Sequence, residues 1–171
     1  MSLDKEIVDE FLDESRGLIE ELLDLLAVLE DDYSEAEQLS DYGNKVDRIM
    51  GASKSLALMA PADHPMHMIS DYAALCKAVG YQASQIKNNE HFFQICVALL
   101  LDATEVLKEL LKNINEDGKK LRSSIPPAFI DRLRWVTNQF GKTVNVSVTI
   151  GETATTMTQA DIDDLLKKLG L

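Results

Sequence analysis

Three pairs of side chains in this chain combine an acid and an amide at helical spacing. The pairs are Glu90 with Gln94, Asp41 with Asn44, and Glu109 with Asn113. Residues three or four apart are neighbours on a helix surface, so each pair sets a carboxylate beside an amide that can both donate and accept hydrogen bonds. Pairs of this kind also arise by chance in an acidic helical protein. Spacing alone therefore assigns them no role.

The other reactive side chains form no familiar catalytic set. The histidines, His64, His67 and His91, lie in a loop or near a helix start, where surface or capping roles are common. Cys76 and Cys96 fall on apolar helical faces without metal ligands at a suitable spacing, so we predict buried thiols. The sequence contains no nucleophile triad, phosphate-binding loop or zinc-ligand cluster.

Composition limits the class of partner. The 171 residues are 46% hydrophobic, which is enough for one compact domain with appendages. The net charge of −12 disfavours nucleic acid and anionic membranes and favours a basic or metal-bearing partner surface. No apolar run reaches membrane-spanning length, and the first residues lack the charge pattern of a secretory signal. We therefore expect a cytoplasmic location.

Four amphipathic helices are predicted to position these side chains. Apolar residues recur at three- and four-residue steps over 4–30, and a capping-box spacing of Ser34 and Glu37 predicts that a second helix begins there and ends before the loop APADHP. Further helices are predicted over 66–86 and 90–114. Short connections make neighbouring helices antiparallel. The predicted fold is all-α, with an antiparallel four-helix bundle over 1–116.

The long amphipathic helices give way to shorter elements over 117–151. Prolines begin a short helix over about 127–139. Trp135 is expected to pack this helix on the bundle. Alternating valines over 144–150 predict a strand. A strand needs a partner, and two are open: the segment 121–125, or the same strand of a second copy in a homodimer. The third alternative is that the segment remains coil. Residues 152–171 are predicted to form a linker and a terminal helix, opened by Thr158 and Asp161 at capping-box spacing.

The segment RIMGASKS at 48–55 places Gly51 inside the second helix, where glycine weakens a helix by about 1 kcal/mol relative to alanine. Together with the four helices, this segment resembles the histidine phosphotransfer (HPt) domain, including that of CheA-type chemotaxis kinases. The family pattern is similar to R-x-x-H-S-x-K-G, where the histidine accepts a phosphoryl group and the lysine stabilises it. Arg48 and Lys54 match, whereas Gly51 stands in the place of the histidine and Ser55 in that of the glycine. The resemblance implies a domain that cannot carry phosphate but keeps a flat surface for a response regulator.

The ending TQADIDDLLKKLGL resembles the peptides with which CheZ phosphatases and FliM switch proteins dock on CheY response regulators. The matching residues are Gln159, Ile162, Asp163, Asp164, Leu165, Leu166, Leu169 and Gly170. Leu171 departs from the pattern, because CheZ proteins tend to end in an aromatic residue. In such docking, the apolar stripe enters a groove and the acids meet a basic rim. The alternative is a terminal helix that packs on its own bundle.

The resemblance to CheZ also gives the acid–amide pairs a hypothetical role. In CheZ-type phosphatases an acid contacts the regulator's lysine, and an amide orients water in line with the aspartyl phosphate, while the regulator holds the Mg²⁺. Glu90 with Gln94, or Asp41 with Asn44, are the candidates here, and no cofactor of the chain's own is expected. The leading hypothesis is binding and regulation of a CheY-like regulator without phosphoryl transfer. The alternative is a CheZ-like phosphatase.

Overall fold

The computed structural model describes residues 3–143 and 159–171, with the side chains of 141–143 left aside. Every regular element in these residues is helical. The helices are α1 (Lys5–Glu30), α2 (Leu39–Ala57), α3 (Pro65–Ser84), α4 (Glu90–Lys112), α5 (Gly118–Ser123), α6 (Pro127–Thr143) and α7 (Gln159–Leu169), with a 3-10 helix over Tyr33–Gln38. The strand predicted over 144–150 lies outside the described residues. Within the described ranges, every helix is too short or too polar to cross a membrane.

Two local predictions are wrong: the start of the second helix, and the segment 121–125 as a strand. The turn before α2 is capped by Asp32, whose Oδ1 accepts the backbone N–H of Ser34 at 3.0 Å, so Ser34 is not the cap. The chain then passes through the 3-10 helix before α2 begins at Leu39. Leu121 lies inside α5, which was not predicted, so the segment 121–125 is not a strand that could pair with 144–150.

Helix α3 lies at the centre of the packing. It contacts α2, α4, α5, α6 and α7, while α1 packs on α2 and α4. Sixteen of the 20 residues of α3 are buried, so it has neighbours on nearly every side and no polar face for solvent. The terminal helix α7 packs on α3 and α6 and is part of this assembly.

Two glycines allow the closest helix contact, between α2 and α3. A Cβ atom on Gly43 would lie 2.7 Å from two ring atoms of Tyr81, and one on Gly80 would lie 2.6 Å from Cδ1 of Tyr42. The same Cβ on Gly80 would be 3.7 Å from the backbone nitrogen of Gly43. Each helix therefore fills the other's glycine position with a tyrosine ring.

Buried polar groups near this contact are satisfied. The hydroxyls of Tyr42 and Thr104 lie 3.0 Å apart, and Thr104 also donates to a backbone carbonyl of α4. The Tyr72 hydroxyl donates to the carbonyl of Ala103 at 2.9 Å. Among the described residues no buried side-chain nitrogen or oxygen lacks a hydrogen-bond partner. These bonds fix α2 and α3 against α4, because an unpaired group there would carry its full desolvation penalty.

Trp135 packs on α4 only in part. Half of its side chain is exposed, and its ring meets Phe92 edge-on with 6.3 Å between ring centroids. Phe140 makes the deeper contact with Phe92, at 5.7 Å, and is buried. Helix α6 is therefore held on α4 by Phe140 and its apolar neighbours more than by Trp135.

The two in-helix glycines should respond oppositely to alanine. Gly51→Ala should raise the free energy of unfolding by about 1 kcal/mol, because its added Cβ would meet no atom within 4 Å. Gly43→Ala should lower it by roughly 1–3 kcal/mol, because the Tyr81 ring must move. Urea denaturation of both variants measures the difference. Stabilisation by both would show that α2 and α3 are not in close contact.

Both cysteines should be inert in the native state. Burial raises the pKa of the Cys76 thiol to about 12 and also raises that of Cys96. The reactive thiolate is therefore scarce at neutral pH, and access is blocked as well. An excess of a chromogenic disulfide reagent at pH 8 should label neither thiol until urea unfolds the chain, when both react. Rapid labelling of one thiol in the native protein would contradict the burial.

Candidate functional site

The segment that resembles the phosphotransfer motif forms an exposed strip midway along α2. Arg48, Gly51 and Ser55 follow one another at three- and four-residue steps, and all are exposed, as is Lys54. The Ser55 hydroxyl donates to the carbonyl of Gly51 at 3.0 Å. A Cβ on Gly51 would meet nothing within 4 Å, so neither packing nor backbone conformation requires a glycine here.

Ion pairs connect the strip to its neighbours. Arg48 donates to Glu14 of α1 at 2.5 Å, and both side chains are more than half exposed. Exposed pairs of this kind contribute about 0–1 kcal/mol, so Arg48 can exchange Glu14 for an acidic group of a partner at little cost. Asp47 lies one turn before Gly51. Its Oδ1 is 2.5 Å from Nζ of the buried Lys77 of α3. Asp47 therefore holds α2 and α3 together from the edge of the strip.

Exposed apolar side chains continue the strip to one end of the protein. Leu58 is 82% exposed and Met59 55% exposed, directly after the last buried turn of α2. Lys45 pairs with Glu21 and Arg48 with Glu14, so α1 and α2 run antiparallel and the start of α1 lies at this same end. Leu58 and Met59 were not predicted as surface residues, although they follow Ser55 at the three- and four-residue steps that continue the exposed face of α2.

The C-terminal helix keeps its apolar stripe inside the protein. Ile162, Leu166 and Leu169 are 0%, 6% and 1% exposed, and Leu165 is half-buried. They pack where α7 meets α3 and α6. In this structure the terminal helix packs on other helices of its own chain, α3 and α6, as the alternative prediction has it.

Acidic side chains occupy the outer face of α7. Asp161, Asp163 and Asp164 are exposed, and the amide of Gln159 donates to Oδ1 of Asp163 at 3.1 Å. Asp161 lies in the first turn, where an acid interacts favourably with the helix dipole whether or not a partner is present. The exposed face of α7 is therefore acidic at its start, with Lys167 and Lys168 in its last turn.

A glycine ends α7 in a defined geometry. Gly170 has a φ of +72°, its N–H donates to the carbonyl of Lys167, and the N–H of Leu171 donates to the carbonyl of Leu166 at 2.9 Å. This pair of bonds is the Schellman ending, which requires a left-handed residue and so favours glycine. A Cβ on Gly170 would lie 3.3 Å from Nη1 of Arg122, so α5 contacts this end of α7.

The pair on α2 is committed to other contacts. Oδ1 of Asn44 accepts the hydroxyl hydrogen bond of Tyr81, which ties this amide into the contact between α2 and α3. Asp41 lies 3.6 Å from the ammonium group of Lys45. While this bond is kept, Asn44 can orient a water molecule only with its NH2 group or with the second lone pair of its oxygen.

The two pairs on α4 differ in exposure and role. Asn113 ends α4, and its side-chain amide donates to the carbonyl of Glu109 at 2.8 Å, so this pair is part of the helix end. Glu90 and Gln94 are exposed one turn apart at the start of the same helix. Of the three pairs, Glu90 with Gln94 is the one whose side chains are both exposed and form no hydrogen bond or ion pair with other residues that the structure describes.

The histidines have separate settings. Nδ1 of His64 accepts the backbone N–H of Met66 at 3.1 Å and caps α3, while Nε2 of His67 donates to the carbonyl of Pro61. His91 is exposed near the start of α4. None lies within the strip on α2. In the described ranges, histidine, cysteine, aspartate and glutamate nowhere form a group of three that could hold a metal ion.

Stability should fall in acid through the cap at His64. Burial lowers the pKa of His64 below 6.5, and the nearby His67 lowers it further, while Asp63 acts in the opposite direction. The cap needs an unprotonated Nδ1, because that nitrogen accepts the N–H of Met66. The unfolded chain thus binds the proton more readily, and the contribution of the cap, present above about pH 6.5, is lost as pH falls through the lower folded pKa. His64→Asn keeps a cap that does not titrate.

Urea unfolding of the native chain and of His64→Asn at pH 7.5 and pH 5 measures this effect. The difference in unfolding free energy should move in favour of the asparagine variant at the lower pH. The other titrating groups are the same in both chains and cancel in the comparison. An equal difference at both pH values would refute the proposed cap.

Comparison with known proteins gives no independent assignment. No family model, curated protein or solved structure matches this chain. Any functional assignment therefore depends on the sequence patterns and on the geometry of α2, α4 and α7.

Proposed function

We propose that this protein is an HPt-like four-helix protein that cannot be phosphorylated and that binds and regulates a CheY-like response regulator. Helices α1 to α4 would form the HPt-like bundle, and Arg48, Gly51 and Lys54 would lie in the regulator-facing surface. The protein takes no part in phosphoryl transfer, because glycine offers no nucleophile where the family has a histidine. It needs no cofactor of its own, since the regulator supplies the Mg²⁺.

The exposed strip on α2 supports this proposal. A regulator's active site carries carboxylates, which suit the cations of Arg48 and Lys54 on either side of Gly51. The absence of a side chain at Gly51 lets another backbone approach α2 closely. Leu58 and Met59 add apolar surface next to this strip, as is common at the centre of a protein interface.

The observation that carries the proposal is the pattern of α7. Its residues combine acids in the first half of the helix, an apolar stripe and a glycine ending, as in the docking peptides of CheZ and FliM proteins. An amphipathic helix that enters a groove needs this combination of an apolar stripe and charged flanks. In this structure the stripe is covered by α3 and α6, so docking through it requires that α7 leave them.

A phosphatase is the second candidate, and the exposure of Glu90 and Gln94 favours it. An acid and an amide on one exposed helix face can reach into a regulator's active site and orient a water molecule in line with the phosphoryl group. The chain would then accelerate hydrolysis while the regulator supplied the metal ion. Asp41 with Asn44 is a weaker choice, because the hydrogen bond from Tyr81 fixes the orientation of the Asn44 amide in the contact between α2 and α3.

Leu165→Ala with Leu166→Ala should weaken regulator binding by at least about tenfold, since both anchors of the stripe are truncated. Binding of a phosphorylated CheY-like regulator from the same organism, and the decay of its phosphoryl group, would be measured with each variant. Lys168→Ala, on the exposed side of α7, is the matched control and should bind normally. A chain that lacks residues 158–171 should behave like the double variant.

Unchanged phosphoryl decay with tail-dependent binding fits a non-catalytic regulator. Faster decay that Gln94→Ala abolishes would instead establish the phosphatase. Binding that survives the double substitution would show that α7 is not the docking element. Circular dichroism and urea midpoints check that each variant keeps its fold.

A further inference from the structure

We propose that the protein inhibits its own docking helix: α3, α5 and α6 form an intramolecular seat for α7 that a partner must displace. This inference depends on the proposed function, because it concerns the same helix. It adds a regulatory step, in which the seat sets how much of the protein can bind at any moment.

The seat and the partner need the same side chains. Ile162, Leu166 and Leu169 are almost fully buried against the protein's own helices. One apolar stripe cannot be covered by two surfaces at once, so binding in a partner's groove and packing in the seat exclude each other. The acidic face of α7 stays exposed in the seated state and is available to meet a basic partner first.

Contacts around α7 show what holds it. Its inner face packs on α3, and its side packs on α6 beside an open cleft that Thr137, Asn138 and Leu166 help to line. At its C-terminal end, the guanidinium of Arg122 lies against Gly170. A cation there is favourable, because the end of a helix carries partial negative charge.

Release of α7 would break none of the specific contacts that hold α2, α3 and α4 together. The polar bonds and glycine contacts among α2, α3 and α4 involve no residue of α7. A short terminal helix with a few buried side chains can open in a local step well below the free energy of global unfolding. The apparent affinity for a partner is then reduced by the fraction of molecules in which α7 is released.

Arg122 gives a way to weaken the seat without changing α7. It is exposed on α5, so Arg122→Glu should leave the core intact while placing a like charge at the negative end of α7. Regulator binding should become roughly 2- to 5-fold tighter, the size of a helix-dipole interaction at such a site. Arg122→Ala should give a smaller gain. Lys119→Glu, an equal charge change at an exposed position of the same helix, is the control and should leave affinity unchanged.

Two measurements on the full chain test the inference: titration with the phosphorylated regulator, and hydrogen exchange of the amides of 159–169 without a partner. Faster exchange together with tighter binding in Arg122→Glu, and neither in Lys119→Glu, supports a competing seat. Faster exchange with unchanged or weaker affinity would overturn it.

The same titrations separate this inference from the proposed function. If the double substitution at Leu165 and Leu166 abolishes binding but Arg122→Glu does not tighten it, only the seat is refuted. If binding is indifferent to Leu165 and Leu166, or absent from every variant, the docking function fails and the seat with it.

Discussion

The close contact between α2 and α3 is the constraint on which the rest of the structure depends. Gly43 and Gly80 lie opposite one another, and each is covered by a tyrosine ring from the other helix. The close approach of α2 and α3 lets the hydroxyl of Tyr42 reach that of Thr104 on α4, which fixes a third helix against the pair. Any side chain at either glycine would move α3, and with it the surface on which α7 packs. The two sites of interest, the strip on α2 and the helix α7, therefore depend on one packing contact.

The two glycines of α2 illustrate different demands on the same residue type. Gly43 is required by its neighbour, whereas Gly51 has nothing within 4 Å and lowers the intrinsic stability of its helix. A residue that weakens a helix without a packing reason is a candidate for a functional position. The resemblance to phosphotransfer domains and the exposure of Arg48 and Lys54 are the reasons why we propose a function for the outer face of α2.

Much of the helical framework could be predicted from periodicity, because α1 and α4 are long and have one apolar face. Other features could not, for physical reasons. Helix α5 has six residues, too few for a period to appear. Asp32 and Ser34 are both good caps two residues apart, and only the backbone path selects the first. The stripe of α7 was predicted correctly, but periodicity does not say whose surface covers it. The need for a glycine at position 43 comes from Tyr81, which lies in a different helix.

The central position of α3 has a consequence for the order of folding. Helices α2 and α3 are joined by a short loop, so their contact closes a small loop and can form early. Helix α7 packs on α3 across a sequence separation of more than 70 residues, and also on α6, which itself packs on α4. The surface on which α7 packs is complete only when α3 and α6 are already in position. Packing of α7 should therefore be a late step in refolding, with little influence on the folding rate and a larger one on the unfolding rate.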